Sequence, residues 1–207
     1  MSEGMLGGIT LVGVAGLIND LFEKLTSKDG EMWLAAFKRF LRKENPWLQF
    51  PKFPTWRTIK LGTHNSVKSL VEAISAKGFK ISDWARDIAK KVTLAKKMEE
   101  VELVVVTSHD VGLEGNYTTT QMFTAAAAHG LSKCPAEVGL QLRLQYDDQP
   151  SGEWLLIAME PIAVSDHVLY VFSVVHDDDG CWLDTGYGHP DGVWYADFRW
   201  VFLRSKQ

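Results

Sequence analysis

The sequence predicts an α+β protein in which a helical N-terminal half packs with a C-terminal antiparallel β-sheet. Three observations carry that expectation. Apolar residues recur at helical spacing through much of residues 1–98. β-Branched and aromatic runs separated by polar turns fill residues 99–207, and the charge changes sign between the two regions. The expected organisation is a basic, mainly helical region followed by an acidic, strand-rich region, joined in one continuous globular unit.

The elements follow in order. Leu17, Ile18, Leu21, Phe22 and Leu25 form a helical stripe within residues 9–26, ended by Lys28-Asp29-Gly30. Trp33, Phe37, Phe40 and Leu41 mark a second helix over residues 31–42, which Asn45-Pro46 stops. Pro46, Pro51 and Pro54 then alternate with Trp47, Leu48, Phe50, Phe53 and Trp56, an extended connection lashed down by its rings. A strand over residues 56–61 precedes a helix over residues 66–76, with Val67, Leu70, Val71 and Ile74 inward and Gly78 beyond its end. Ser82 caps the next helix, residues 83–91, whose Asp83 and Lys90-Lys91 match the helix dipole. Residues 101–107 read as a buried strand. Thr118 or Thr119 caps a helix through Ala128, closed by Gly130. Strands are expected over residues 140–146, 154–160, 168–176, 181–183 and 200–203, with turns at 147–152 and 177–180.

Composition is that of an ordered globular chain: 46% apolar, 23% charged, with eight tryptophans among 207 residues. The most apolar stretch, Met5–Ile18, is shorter than the roughly 18 residues a bilayer span requires, and it contains four glycines. It has no basic leader and no small-residue cleavage site, so it reads as a buried or loosely ordered segment rather than an export signal. Two cysteines and no export signal point to a reducing, cytoplasmic setting without a membrane partner.

The net charge of −4 hides a split. Residues 1–100 hold 17 basic against 11 acidic residues, net +6, and residues 101–207 hold 5 against 15, net −10. Residues 38–97 alone carry 15 basic and 4 acidic residues. Such a surface suits nucleic acid or an acidic partner, but solvated lysine faces, or the two halves facing one another, are the favoured account. The helix–Gly78–helix unit offers Lys80, Arg86, Lys90 and Lys91 to phosphates, in the manner of a helix-turn-helix. Any two packed surface helices share that pattern.

Reactive centres are sparsely signalled. His109 and Asp110 follow a buried strand, a position where a rigid element presents functional groups. His129, Cys134 and Glu137 lie close in sequence, and a Cys/His pair with a carboxylate could activate a thiolate. Against this stands Cys134 as a small buried hydrophobe and His129 as a helix C-terminal cation. The Asp177-Asp178-Asp179-Gly180 run reads as a hairpin turn rather than a calcium loop, because its acids are consecutive. No zinc-ligand spacing or nucleotide-binding glycine loop occurs, so neither metal nor cofactor is expected. Trp182, Tyr187, His189 and Trp194, near Tyr195, Phe198 and Trp200, could stack on a ligand or form sheet core.

Several phrases together carry a resemblance. They are Phe37-Lys38-Arg39-Phe40-Leu41-Arg42-Lys43-Glu44, Trp56-Arg57-Thr58-Ile59-Lys60-Leu61-Gly62, Gly78-Phe79-Lys80-Ile81-Ser82-Asp83-Trp84-Ala85, Cys134-Pro135-Ala136-Glu137-Val138-Gly139 and Gly152-Glu153-Trp154-Leu155-Leu156-Ile157. Over residues 31–203 the chain resembles a family of uncharacterised bacterial proteins. The resemblance implies a bacterial, cytoplasmic setting and one continuous unit, and it implies no activity, ligand or catalytic residue.

Two function classes follow. One is a non-catalytic binding or interaction module for a protein, a small molecule or nucleic acid. The other is a small hydrolase using His109, Asp110, Cys134 and Glu137. The absence of a recognisable catalytic constellation favours the first.

Overall fold

The computed structural model describes residues 11–42, 53–164 and 167–204. The chain divides into two compact units, Met1–Pro51 with Gln207, and Lys52–Lys206. In the first, α1 (Leu11–Leu25) packs against α2 (Gly30–Leu41). Thr26 and Ser27 hydroxyls bond back to carbonyls of the last turn of α1, satisfying groups a helix end leaves open. Lys24 Nζ lies 4.5 Å from the centre of the Trp33 ring. Leu17, Phe22, Phe40 and Leu41 are exposed. The expected proline-aromatic connection around Pro46, Trp47, Leu48, Phe50 and Pro51 lies outside the described residues, as does the first part of the Met5–Ile18 segment.

The second unit begins with β1 (Arg57–Leu61), α3 (Val67–Ala76), β2 (Lys80–Ile81), α4 (Asp83–Ala89) and β3 (Glu99–Val106). After a 3₁₀ turn (His109–Val111) come β4 (Tyr117–Thr118), α5 (Thr119–Ala128), β5 (Leu131–Ser132) and α6 (Glu137–Gln145). The strands β6 (Trp154–Ile157), β7 (Ile162–Ala163), β8 (Leu169–Asp177), β9 (Gly180–Tyr187), β10 (Val193–Trp194) and β11 (Arg199–Arg204) complete it. Ser66, Ser82 and Thr118 cap α3, α4 and α5 through their hydroxyls, and Thr118 and Gln121 close a reciprocal capping box.

The architecture is α+β, with two corrections to the sequence expectation. The main sheet runs β1-β3-β11-β6-β8-β9-β2, with β5 joined to β11 and β7 to β8. It is mixed rather than antiparallel, because β11 pairs parallel to β6 and β2 parallel to β9. Nor are the helices confined to the first half: α5 and α6 follow β3, while β1 and β2, both from the first half, form the two ends of the sheet. Strand pairing between distant segments outweighs the local helical character of residues 53–98.

The largest local correction is α6. Leu140, Leu142, Leu144 and Tyr146 alternate with polar residues and so predict a strand, yet Glu137–Gln145 is a helix. Both kinds of side chain on it are buried, from Glu137 through Arg143. Period-two alternation signals a strand only where one face meets water, and here neither does. The polar residues instead fall on a helical stripe, Glu137, Gln141 and Gln145, that fastens β1 and its flanking loops. Glu137 accepts the backbone N–H of Gly62 at 2.7 Å and of Ala95 at 2.6 Å. Gln145 accepts the Lys60 N–H at 2.9 Å and donates to the Lys60 carbonyl at 2.8 Å, as a neighbouring strand would. Gly62, at φ +65°, lies where only glycine is unstrained.

Gly139 lets α6 approach the sheet: a Cβ there would fall 2.6 Å from Phe172 on β8. α5 covers the opposite face, with Phe123 edge-on to Trp200 and Phe202 on β11. The register confirms the two faces. Trp200 neighbours Leu156, which pairs with Ser173, and Ser173 points away from its chain neighbour Phe172.

Candidate functional site

α3 and α4 bury Leu70 and Ile74, and Ala85 and Ile88, in the core. Between their outer edges runs a groove of about 370 Å³ lined by Val67, Lys68, Val71, Arg86, Ala89 and Lys90. Helical spacing explains the lining. Val67 and Val71 lie one turn apart on α3, and Arg86, Ala89 and Lys90 share one side of α4 and its end. The floor is apolar and the rim cationic. Lys68 pairs with Glu72 at 4.0 Å and Lys90 with Asp87 at 2.7 Å, both in solvent. Arg86 has no ion pair among the described residues.

The four basic residues singled out from sequence therefore separate. Arg86 and Lys90 share the groove. Lys80 Nζ instead lies 4.8 Å over the Trp182 ring, and Lys91 Nζ donates to the Ala163 carbonyl. Val67 and Val71, read from sequence as inward core positions, are only partly buried and line the groove, and Ala89 was not singled out; the available signal was their adjacency to Lys68 and Lys90 at helical spacing.

Of the expected catalytic residues, Asp110, Cys134 and Glu137 are held by other partners. Asp110 accepts from the Thr107 N–H at 2.8 Å and the Thr107 hydroxyl at 2.7 Å, forming a local turn in which His109 is exposed. Cys134 is buried, donates its thiol to the Val201 carbonyl at 3.5 Å, and has its pKa pushed up strongly by burial. Glu137, 1% exposed, is held by Gly62, Ala95 and the Gln141 amide. His129 Nδ1 bonds the Ala125 carbonyl at 2.8 Å at the end of α5.

The aromatic set does not form one surface either. Trp182 and Tyr187 lie five residues apart on β9, whose pairing with β8 runs without a bulge, so they point to opposite faces. Trp194 is buried, donates to Thr119 Oγ1 at 2.8 Å, and packs edge-on to Phe198 and Trp200. Tyr187 is exposed and stacks on His189 with ring centres 6.2 Å apart. Asp177 is occupied by the β8–β9 turn, accepting from the Asp179 N–H at 2.9 Å and Trp182 Nε1 at 3.2 Å. Among the described residues no three His, Cys, Asp or Glu side chains converge on a metal position, and no helix is long and apolar enough to cross a membrane.

No family model, curated protein or solved structure matches the chain.

Proposed function

We propose that this chain is a non-catalytic binding module whose α3–α4 groove takes an acidic amphipathic helix of a partner protein. The supporting observation is the groove itself, an apolar floor of Val67, Val71 and Ala89 under a rim of Lys68, Arg86 and Lys90. An apolar side chain from the partner fills the floor, and a carboxylate one turn away meets the Arg86 fork. The exposed pairs of Lys68 and Lys90 are weak enough to exchange for a partner's acid. Nucleic acid fits less well, since phosphate tracking needs several uncommitted cations and Lys80 and Lys91 are engaged in other contacts. Two unbridged cysteines accord with a cytoplasmic setting.

Fluorescence anisotropy with a labelled Leu/Glu amphipathic peptide tests this. The expected result is saturable binding, weakened about tenfold or more by Arg86→Glu or by Val71→Asp. A charge-reversed Leu/Lys peptide should bind far less. Absent binding of the Leu/Glu peptide, or preferential salt-sensitive binding of single-stranded DNA, overturns the proposal.

A further inference from the structure

The β8–β9 hairpin closes with Asp177 opposite Gly180, which places His176 directly opposite Cys181. His176 donates its backbone N–H to the Glu153 carbonyl at 3.0 Å and accepts from the Gly152 N–H at 2.7 Å. Both backbone groups therefore point away from β9. The His176–Cys181 pair is thus of the non-hydrogen-bonded kind, in which Cα atoms approach to about 4.5 Å and side chains lie closest. Imidazole and thiol therefore project from the same face of the sheet, the α6 face, and both residues are partly exposed.

His176 Nδ1 lies 2.6 Å from the Gln149 carbonyl. A carbonyl only accepts, so Nδ1 carries the proton and the neutral ring keeps Nε2 as its basic nitrogen.

Behind this pair lies Arg143, fully buried on α6. Nη1 donates to Gln149 Oε1 at 2.6 Å and to the Val175 carbonyl at 3.4 Å, and Nη2 donates to the Tyr146 carbonyl. The Phe79 ring lies 4.4 Å from the guanidinium carbon. All of these partners are formally neutral. Among the described residues no carboxylate hydrogen-bonds the group, and Nε has no partner at all. Burial disfavours the charge on this guanidinium, and the nearby Cys181, Tyr146 and Asp147 oppose that effect. A buried cation whose hydrogen-bond partners are all neutral is costly, and a thiolate at Cys181 adds compensating charge to that of the nearby Asp147 carboxylate.

We propose that Cys181, with His176 as its base and Arg143 as its counter-ion, is a nucleophilic thiol that exchanges with low-molecular-weight disulfides. The Cys181 proton passes to His176 Nε2. The thiolate attacks one sulfur of R–S–S–R, the Cys181–S–S–R bond forms as the original S–S bond breaks, and the departing R–S⁻ takes the proton from the imidazolium. The net change is one thiol and one disulfide converted to a mixed disulfide and a free thiol, with the small disulfide as oxidant. The exposed Asp177-Asp178-Asp179 turn beside the site selects for cationic over anionic disulfides.

The test is the rate of thiol–disulfide exchange with neutral 4,4′-dithiodipyridine at neutral pH, in full-length protein carrying Cys134→Ala. Native protein should react about tenfold or more faster than the same chain in urea, since only the fold sets a base opposite the thiol to take its proton during attack. His176→Gln and Arg143→Lys should each cut that rate several-fold in variants that circular dichroism shows to be folded. Cystamine should outpace an anionic aromatic disulfide, and mass spectrometry should place the adduct on Cys181. A native rate at or below the unfolded rate overturns the proposal, as does a rate unchanged by His176→Gln, a partly exposed position where a folding defect is least expected.

Discussion

The two cysteines sit in opposite chemical surroundings. Cys134 lies in the apolar core, its thiol bonded to one carbonyl and strongly disfavoured as an anion. Cys181 stands at a hairpin root, paired across the strands with His176 and near the buried Arg143 guanidinium. The difference shows that chain proximity to His and Glu does not make a reactive thiol. His129 and Glu137, the sequence neighbours of Cys134, are spent on a helix end and on fastening β1, whereas the partners of Cys181 come from a facing strand and a distant helix.

The strongest way to break this contrast is through Glu137. If its carboxylate is a fastening and not a catalytic partner of Cys134, Glu137→Ala should destabilise the protein by about 3 kcal/mol or more. It strands the Gly62 and Ala95 N–H groups and the Gln141 amide. Urea denaturation measures the loss, and a change below about 1 kcal/mol would show that the stripe on α6 holds nothing.

Cys134→Ala sharpens the comparison with a smaller effect. Loss of a packed thiol should cost about 1–2 kcal/mol through the cavity left behind. Titration of native wild-type protein with dithiodipyridine should find a single reactive thiol and a second only on unfolding. Two reactive thiols in the native state would erase the distinction.

The smallest effect is a dependence on alkaline pH. Burial raises the pKa values of the Cys134 thiol and the Tyr117 and Tyr146 hydroxyls above their ordinary 9.0 and 10.0, and a hydrogen bond to Glu153 raises Tyr146 further. The unfolded chain therefore releases these protons first. Their stabilisation is complete below the unfolded values and is lost as pH climbs through 9.0 and 10.0 toward the folded ones. Tyr117→Phe should flatten the slope above pH 10.0, at the cost of the bond from Trp200 Nε1. An unchanged slope would exclude Tyr117 from the effect.

Much of the fold was legible in local signals. The Ser82 cap, the Thr118 cap, the buried β3 run and the tight turn after Asp177 all appear where residue chemistry places them. The site was less legible. Arg86 and Lys90 share a groove, but Lys80 and Lys91, on the same basic stretch, are drawn off by Trp182 and Ala163. The Cys181–His176 pairing was readable in principle, because a two-residue turn at Asp178-Asp179 sets their register. Arg143 was not, because its sequence neighbourhood imitates a strand.

By itself the sequence determined where helices start, where turns fall and that helices and strands share one fold, since caps, glycines and β-branched runs act within a few residues. Tertiary structure alone decided that β6 and β11 run parallel, that α6 is a helix, and that a guanidinium from one element backs a thiol and an imidazole from two others. Those outcomes rest on long-range pairing and on where buried polar groups find partners, and neither is encoded in any short window of the chain.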